Sequence, residues 1–234
     1  MPDDYTRPHV LLMSEITADG KLTLKKGSSS KILMKYMAPE TEVLLHRTRA
    51  GCDAIMVGSN TIRIDNSFLT VRIVPGESPL RVIPNSQADI PLDANVLGPD
   101  ARTLVAVAAS APEERVAAIR AKGARVVVAG NDQVDLRILM HLLWRDFNVR
   151  RLMIEGGPTL NWHMLHHQLV DEIRLIHLPL IVGGADTPSL VGGMHIDSED
   201  QMIRLRLKDH YLCGTNLVTE YDVLYPEGDD GISG

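Results

Sequence analysis

Residues 151–165, "RLMIEGGPTLNWHML", decide the fold, because an apolar run there meets two glycines, a proline and a second apolar segment. The first four residues predict a buried strand. Pro158 suits the first turn of a helix, since its missing N–H would be unpaired there anyway. Gly156 and Gly157 remove side chains where something must approach the backbone closely. The free N–H groups of such a helix start favour an anion such as phosphate, although the turn alone also fits a plain strand-to-helix connection.

The same alternation of strand and helix runs through most of the chain. Apolar runs predict buried strands at 9–13, 53–57, 80–83, 103–107, 124–128 and 151–155. Helical patterns fill 39–50, 112–122, 135–147 and 158–169. After Asp171 three strand-like runs follow without a helix between them. We therefore expect one α/β domain over 1–225: a mixed, mostly parallel sheet flanked by helices, with antiparallel C-terminal strands. The acidic, glycine-rich residues 226–234 predict a disordered tail.

Composition narrows the functional classes. The chain has 234 residues, 44% of them hydrophobic, which is enough for one sizeable core. Its formal net charge of −6 argues against a nucleic-acid partner, because such binding depends on cationic side chains. The two cysteines are too few for a disulfide framework or a zinc ribbon and fit a reducing compartment. The acidic start and short apolar runs predict neither a signal peptide nor a membrane span, so a cytoplasmic protein is expected.

Small, polar and glycine residues follow several predicted strands, where ligands of an open α/β sheet bind. They lie in "TADGK" (17–21) with "GSSSK" (27–31), "VGSNTIRID" (57–65), "PNS" (84–86) and "EGGPTL" (155–160). The sequence has neither the cysteine and histidine spacing of a metal site nor a Gly-x-Ser-x-Gly nucleophile motif. A site of this composition is typical of an enzyme whose cofactor performs the chemistry.

These motifs, together with "RAGCDAIMVGSNTIRIDNSFLTVR" (49–72), "LRVIPNS" (80–86) and residues 152–184, resemble the reductase family of riboflavin biosynthesis. That family includes the C-terminal domain of the bifunctional deaminase-reductase and standalone reductases of a diamino-ribosylamino-pyrimidinone 5′-phosphate, and it is similar in fold to dihydrofolate reductase. The resemblance implies an NADPH-dependent reduction of the ribosyl group to ribityl, with the hydride going to C1′. Because the zinc motifs of the deaminase half are absent, we expect a standalone reductase that prefers the diamino compound to its deaminated counterpart.

The resemblance also assigns residues. Its coenzyme contacts fall on Thr61, Asp65 and Ser86, and on the backbone from Gly157 to His163. Gly58 lets the chain turn at a strand end beside Thr61. We therefore also take as cofactor-binding Gly58, Gly156, Gly157, Pro158, Thr159 and Leu160. Its substrate contacts fall on Ser29, Arg49, Leu69, Arg72 and Glu155. The two arginines suit a phosphate, which guanidinium groups bind bidentately. Glu155 is the candidate for proton transfer. The loop after the third predicted strand has Asn85 and Ser86 and lacks an acidic residue that would repel the 2′-phosphate of NADPH. This composition favours NADPH over NADH.

Simpler interpretations stay open for several of these residues. Asp65 also fits a turn cap, Arg49 a surface charge at a helix end, and Ser86 an ordinary loop position. His163, His166 and His167 have helical spacing that could hold a metal, but no carboxylate pattern accompanies them, so no metal is predicted. The amphipathic helix 39–50 fits packing on the sheet better than a partner-binding role.

Two further expectations concern assembly and function. The run "VDEIRLIHLPLIVGG" (170–184) resembles the family segment used in dimer formation, and its apolar residues fall on both faces of the predicted strand, so a homodimer is predicted. Two other functions remain possible from the sequence. One is a reductase of the same fold that acts on another pterin or heterocycle, and the other is a nucleotide-binding protein without turnover.

Overall fold

The structure, a computed structural model, describes residues 6–225. Its strands are β1 (His9–Thr17), β2 (Ala54–Met56), β3 (Leu80–Pro84), β4 (Thr103–Val107), β5 (Arg125–Val128), β6 (Arg151–Ile154), β7 (Glu172–Leu178), β8 (Arg204–Cys213) and β9 (Asn216–Leu224). Its helices are α1 (Lys31–Met34), α2 (Pro39–Ala50), α3 (Ser59–Asp65), α4 (Glu113–Ala121), α5 (Leu136–Phe147) and α6 (Pro158–His166). Two short 3-10 turns lie at Asn95–Leu97 and Glu199–Gln201. The predicted tail at 226–234 lies outside the described residues.

The nine strands form one sheet in the order β5-β4-β3-β2-β6-β1-β7-β9-β8. All neighbours from β5 to β7 are parallel, β9 is antiparallel to β7, and β8 is antiparallel to β9. The mixed, mostly parallel α/β sheet predicted from the sequence is thus confirmed. Because the strands β1, β2 and β6 lie side by side and run the same way, their carboxyl ends meet at one edge of the sheet.

Helices cover both faces of this sheet. Leu139 and Leu143 of α5 and Met164 of α6 pack in one core cluster with the even-numbered residues of β1 and β6. Ile62 of α3 and Val116 and Ile119 of α4 pack on the opposite face, and Leu45 places α2 on that same face. The helix 39–50 therefore packs on the sheet, as its apolar positions predict.

The structure differs from the sequence-based assignment in the last strands and in two helices. The first run after Asp171, β7, pairs parallel with β1, so the reversal begins one strand later, at β9. Its apolar residues on both faces reflect burial on both faces of the sheet. The short helices α1 and α3 have no long apolar period and were not predicted. The helix predicted at 158–169 ends at His166, because Gln168 takes a left-handed φ of 58°.

Arg81 is a charged residue in the core that no pattern in the sequence predicted. It lies on β3 and is fully buried. Its Nε donates to Thr103 Oγ1 at 2.9 Å, and its terminal nitrogens donate to backbone carbonyls of the loops at 66–68 and 95–101, including Gly98 O at 2.6 Å. Burial lowers the pKa of Arg81. The guanidinium is satisfied by neutral acceptors and ties both loops to the sheet.

Candidate functional site

The glycine turn after β6 joins the ends of two neighbouring strands. Glu155 N donates to Met56 O at 3.1 Å, and Gly58 N donates to Gly156 O at 2.9 Å. These bonds extend the β2–β6 pairing past the ends of both strands. They hold the start of α3, with Gly58 as its N-cap, beside the start of α6, with Gly157 as its N-cap. Two helix N-termini with free N–H groups therefore open on the same edge of the sheet.

Gly157 lies at the narrowest point between these two helices. A Cβ placed on Gly157 would come 2.8 Å from Thr61 Oγ1, closer than real Cβ contacts allow. The Thr61 hydroxyl therefore fills the space beside the Gly157 backbone that a side chain would need. The two neighbouring helix starts suit the pyrophosphate of a dinucleotide coenzyme, which binds backbone N–H groups.

The larger of the cavities at this edge has a volume of about 760 Å³. Its walls come from the starts of α3, α5 and α6 and the end of β3, and it includes Gly58, Ser86, Arg137, Thr159, Leu160, His163 and His167. Ser86 Oγ accepts a hydrogen bond from Val134 N at 3.0 Å, so this serine fixes the loop before α5 as well as facing the cavity. The cavity is large enough for a nucleotide.

A second cavity of about 230 Å³ adjoins the first, and Asn60 and Thr159 line both. It is enclosed by the end of β1, the loop at 22–30, α3 and the glycine turn. Its lining includes Glu15, Lys26, Ser28, Ser30, Thr61, Asp65, Glu155, Gly156, Gly157 and Pro158. The two cavities together form one cleft with a wide end and a narrow end.

Glu155 at the narrow end is held from behind by Arg49 of α2. Arg49 Nε donates to Glu155 Oε1 at 2.6 Å, Arg49 Nη2 donates to Oε2 at 2.7 Å, and Arg49 Nη1 donates to Thr70 O at 3.1 Å. The two side chains are 7% and 14% exposed, so this bidentate pair is shielded from water. Glu155 is consequently held as a carboxylate that accepts hydrogen bonds and donates none.

A backbone hydrogen bond holds the segment 69–72 against α2. His46 Nδ1 accepts from Arg72 N at 3.1 Å, so the ring carries its proton on Nε2. Burial and the charges of Arg49 and Arg72 lower the pKa of His46 to about 4. Arg72 itself is exposed, and its Nη1 donates to Thr70 Oγ1 at 3.0 Å. Leu69 is buried in a left-handed conformation that turns the chain toward α2.

Glu15 is a carboxyl group at the site that the sequence did not reveal. The predicted first strand ended at residue 13, but β1 continues through "SEIT" to Thr17. Leu12 of β1 pairs with Ile154 of β6, so Met13 lies beside Glu155. Side chains two residues apart on a strand point to the same face, so Glu15 follows Met13 along that face. Burial and the nearby Glu155 carboxylate raise the pKa of Glu15 to about 7. A predicted strand that continued two residues past Met13 would have included Glu15.

The structure brings together all the predicted cofactor residues. Each of Gly58, Thr61, Asp65, Ser86, Gly156, Gly157, Pro158, Thr159 and Leu160 lines one or both cavities. Of the predicted substrate residues, Glu155 lines the narrow cavity, Arg49 and Leu69 are buried behind it, and Arg72 lies outside on the surface. Ser29 neighbours two lining serines, and its Oγ accepts from Lys31 N.

Three of the simpler interpretations can be compared with these contacts. Asp65 accepts from Ser30 N at 3.2 Å and from Ser30 Oγ at 2.8 Å, so it ties the 25–30 loop to α3. Arg49 is buried and is therefore not a surface charge. Among residues 6–225, no group of three or more His, Cys, Asp or Glu side chains could hold a metal ion, and the predicted absence of a metal stays a prediction. His163 stacks on His167 with ring centroids 6.3 Å apart, beside the wide cavity.

The mixed, mostly parallel sheet flanked by helices is a dihydrofolate reductase-like fold. The family model described as the RibD C-terminal domain matches residues 8–219, and the chain belongs to this family. It is similar to the solved structure of Acinetobacter baumannii RibD, with a TM-score of 0.78, 20% sequence identity, and coverage of 93% of this chain and 58% of that one. It is also similar to a pyrimidine reductase-like protein of Corynebacterium diphtheriae, with a TM-score of 0.77, 21% sequence identity, and coverage of 94% of this chain and 93% of that one. At that identity the likeness shows the fold alone.

Curated relatives are more similar in sequence. A protein of Aquifex aeolicus (strain VF5) named 2,5-diamino-6-ribosylamino-4(3H)-pyrimidinone 5′-phosphate reductase is 47% identical over 219 residues, which cover 93% of this chain and 97% of the relative. A protein of the same name from Methanothermobacter thermautotrophicus is 45% identical over 220 residues, which cover 93% of this chain and 99% of the relative. No helix in the described part of this chain is long and apolar enough to cross a membrane.

Proposed function

We propose that this protein is an NADPH-dependent reductase that converts the ribosyl group of 2,5-diamino-6-ribosylamino-4(3H)-pyrimidinone 5′-phosphate to ribityl in riboflavin biosynthesis. The observation that carries the proposal is the two-part cleft, in which a nucleotide-sized cavity adjoins a small polar cavity at Asn60 and Thr159. The names of the relatives at 47% and 45% identity supply the substrate class. In this assignment the coenzyme lies in the wide cavity and the pyrimidine nucleotide in the narrow one.

Bound NADPH would supply a hydride equivalent, and the chain's own residues would hold and orient both ligands. The coenzyme would extend from the wide cavity to its boundary with the narrow one, where Thr159 lines both. There Gly157 and Thr61, which line the narrow cavity, would lie beside the pyrophosphate, and Ser86 would face the adenosine half. Arg137 of α5 is the cationic side chain for a 2′-phosphate in the wide cavity. Asp135, the acid nearby, accepts from Arg137 N and Ile138 N as the N-cap of α5, so its charge is partly compensated.

Coenzyme titrations test this preference. We expect NADPH to bind more tightly than NADH, and Arg137→Gln to weaken NADPH binding about tenfold, the factor that corresponds to about 1.4 kcal/mol, with little effect on NADH. The matched control is Arg145→Gln on the outer side of the same helix, where Arg145 pairs with Asp146. Equal affinities of the wild-type protein for the two coenzymes would refute the NADPH assignment.

The choice of pyrimidine depends on Glu155. As a carboxylate it presents acceptors to the narrow cavity, which match an exocyclic amine better than a carbonyl. We therefore expect a higher kcat/KM for the diamino compound than for its deaminated counterpart. Steady-state NADPH oxidation with the two phosphates, side by side, measures this difference, and a clear preference for the deaminated compound would contradict the substrate assignment.

Two alternatives are distinguished by the same assay. Oxidation of NADPH with neither phosphate, but with dihydrofolate or another pterin, would favour a related reductase of this fold. Coenzyme binding without any oxidation would favour a nucleotide-binding protein. The similarity of the chain to reductases over 97% and 99% of the two relatives favours the first proposal over both alternatives.

A homodimer is the assembly we propose, and the structure offers a second exposed apolar surface besides the segment predicted from the sequence. In the run 170–184, Ile173, Ile176 and Leu178 are buried inside the monomer, whereas Ile181 is 75% exposed. The outer strand β8 is at the edge of the sheet, and four leucines on one face of β8 and β9 are exposed: Leu205, Leu207, Leu212 and Leu217. An apolar sheet face that ends in an edge strand is suited to association with a second copy.

The proposed location is the cytoplasm. The two cysteines are not paired with each other in the structure, which fits the reducing compartment that their number predicts. Fractionation of cells that express the protein at its natural level, with detection by a specific antibody, measures the location directly.

A further inference from the structure

We infer that Glu15 is the residue that delivers the proton to the substrate nitrogen during the reduction, while the Arg49–Glu155 pair only binds and orients. The inference rests on the proposed function and deepens it. Glu155, the proton-transfer candidate from the sequence, has both oxygens engaged by one guanidinium. A carboxylate in that arrangement has no proton to give.

The position of Glu15 suits a proton donor to a ligand in the narrow cavity. It lies near the carboxyl end of β1, is only partly buried, and lines the narrow cavity together with Glu155. Within the described residues its carboxyl makes no hydrogen bond to another side chain, and its own backbone N–H is its hydrogen-bonding neighbour. The carboxyl is therefore a polar group at the cavity wall that remains available to a ligand.

The charged groups around Glu15 favour its protonated form at neutral pH. Glu155, directly after β6, is the nearby negative charge, and Arg49 of α2 lowers the pKa of Glu15 but is paired with Glu155. Asp65 of α3 and Lys26 of the 22–30 loop also line the cavity, Asp65 being paired with Ser30. Burial is the largest influence on Glu15 and raises its pKa to about 7, so the protonated form is accessible near neutral pH.

The chemistry of the proposed reaction needs such a proton. A ribosylamine whose furanose ring has opened is an imine, with a double bond between C1′ and the exocyclic nitrogen. Addition of hydride from the dihydronicotinamide forms a C–H bond at C1′, and the π electrons of the C=N bond move to nitrogen. That nitrogen takes the proton from the Glu15 carboxyl, which becomes a carboxylate and recovers a proton from water. The imine is reduced to an amine, the dihydronicotinamide is oxidised, and one hydride and one proton are consumed.

The first test is kinetic and uses Glu15→Gln, Glu15→Asp and the surface control Glu113→Gln. We expect Glu15→Gln to lower kcat with the diamino phosphate about 100-fold or more, with the KM values of both substrates changed less than about threefold. Wild-type kcat should fall as pH rises through about 7, because the acid form is lost, and Glu15→Gln should lack this dependence. Glu15→Asp should recover part of the activity with a shifted profile. Glu113 is exposed on α4, and its replacement should leave rate and profile unchanged.

The second test does not depend on turnover. Carbon-13 NMR of the protein labelled at the glutamate side-chain carboxyls follows each carboxyl through a pH titration. We expect one resonance to titrate near pH 7 in the wild-type protein and in Glu113→Gln, and to be absent in Glu15→Gln. This readout also separates a proton donor from a residue that merely fills space, because glutamine has nearly the same volume as glutamate.

Three results would overturn the inference. One is a Glu15→Gln variant with wild-type kcat and pH profile, and another is a Glu15 carboxyl that is already ionised at pH 5. The third is a wild-type protein that binds NADPH but oxidises it with neither phosphate, in which case the reductase function fails and the proton-donor role fails with it. An active wild-type protein beside a fully active Glu15→Gln variant overturns the proton-donor role alone.

Discussion

Arg49 and Arg72 lie in the same region of the sequence and were assigned the same role, yet the structure gives them different environments. Arg49 is buried and bound to Glu155, whereas Arg72 is exposed and held to α2 through its backbone. A pattern of residue types cannot separate these cases, because an arginine suits a phosphate at either position. The buried partner of Arg49 distinguishes them, and that partner is 106 residues away in the chain.

The two arginines should therefore respond differently to replacement by alanine. Arg49→Ala leaves a shielded carboxylate without its cation, and we expect it to lower the free energy of unfolding by about 3–5 kcal/mol. Arg72→Ala should leave stability nearly unchanged and, if Arg72 contacts the substrate phosphate, lower kcat/KM by about 2–3 kcal/mol with NADPH affinity unaffected. Urea unfolding and steady-state kinetics measure the two effects. The control is Arg49→Ala combined with Glu155→Ala, which should be more stable than Arg49→Ala alone.

His46 makes stability depend on pH in a direction set by its lowered pKa. Its folded pKa of about 4 is below its unfolded value of 6.5, so between these values the unfolded chain binds the proton more tightly. The contribution of His46 is therefore complete above pH 6.5 and is lost as pH falls toward 4. His46→Asn keeps an acceptor for Arg72 N and removes the titration, so its urea-unfolding free energy should fall less between pH 7 and pH 4.5 than that of the wild-type protein. Equal pH dependence in both proteins would contradict this explanation.

At the scale of elements, the junction of β6 and α6 is the part that the sequence predicted best. Two glycines and a proline after an apolar run define a strand end and a helix start within one residue, because each of these residue types has a single steric reason to be there. The opposite case is β1, whose polar end residues hid its true length and with it Glu15. The short helix α3 was also missed, since a helix of seven residues shows too few turns for an apolar period.

The close approach at Gly157 gives a second mutational test. Gly157→Ala places a Cβ 2.8 Å from Thr61 Oγ1, so the threonine must move, and we expect coenzyme affinity to fall about tenfold with a loss of stability of about 1–3 kcal/mol. Gly51→Ala, at the end of α2 and outside both cavities, is the matched control, because its Cβ would meet Arg47 O at an ordinary 3.5 Å. Combining Gly157→Ala with Thr61→Ala should restore stability while coenzyme affinity stays low. Calorimetric titration with NADPH and thermal unfolding measure the two quantities.

For the molecule as a whole, the alternation of apolar runs and helical patterns was sufficient to predict the sheet class. The direction of β7 was not predictable in the same way. A strand that follows a helix without a long loop can pair on either side of the sheet, and only the register of Leu11 with Glu172 reveals that β7 lies beside β1. The exposure of the β8 leucines was not predictable either, because an alternating pattern along an edge strand does not show whether a helix covers its apolar face.

Association of two copies can be tested through that face. Leu207 is 53% exposed on β8, and Leu207→Lys should place a charge in the proposed dimer surface and shift the protein toward monomer. Leu92→Lys, at a leucine that is 43% exposed beyond the opposite half of the sheet, is the control and should not change the mass. Light scattering at micromolar concentration measures both. A wild-type protein with only the monomer mass would rule out the proposed dimer at that concentration.

The residues shared by the two cavities have a consequence for the kinetic mechanism. Asn60 and Thr159 border both spaces, so a molecule in the wide cavity forms part of the boundary of the narrow one. With the two ligands placed as proposed, we expect hydride transfer to take place while both are bound. Initial rates measured against one substrate at several fixed concentrations of the other should give intersecting reciprocal plots, the pattern of a sequential mechanism. Parallel plots would require a modified form of the protein that persists between two separate half-reactions.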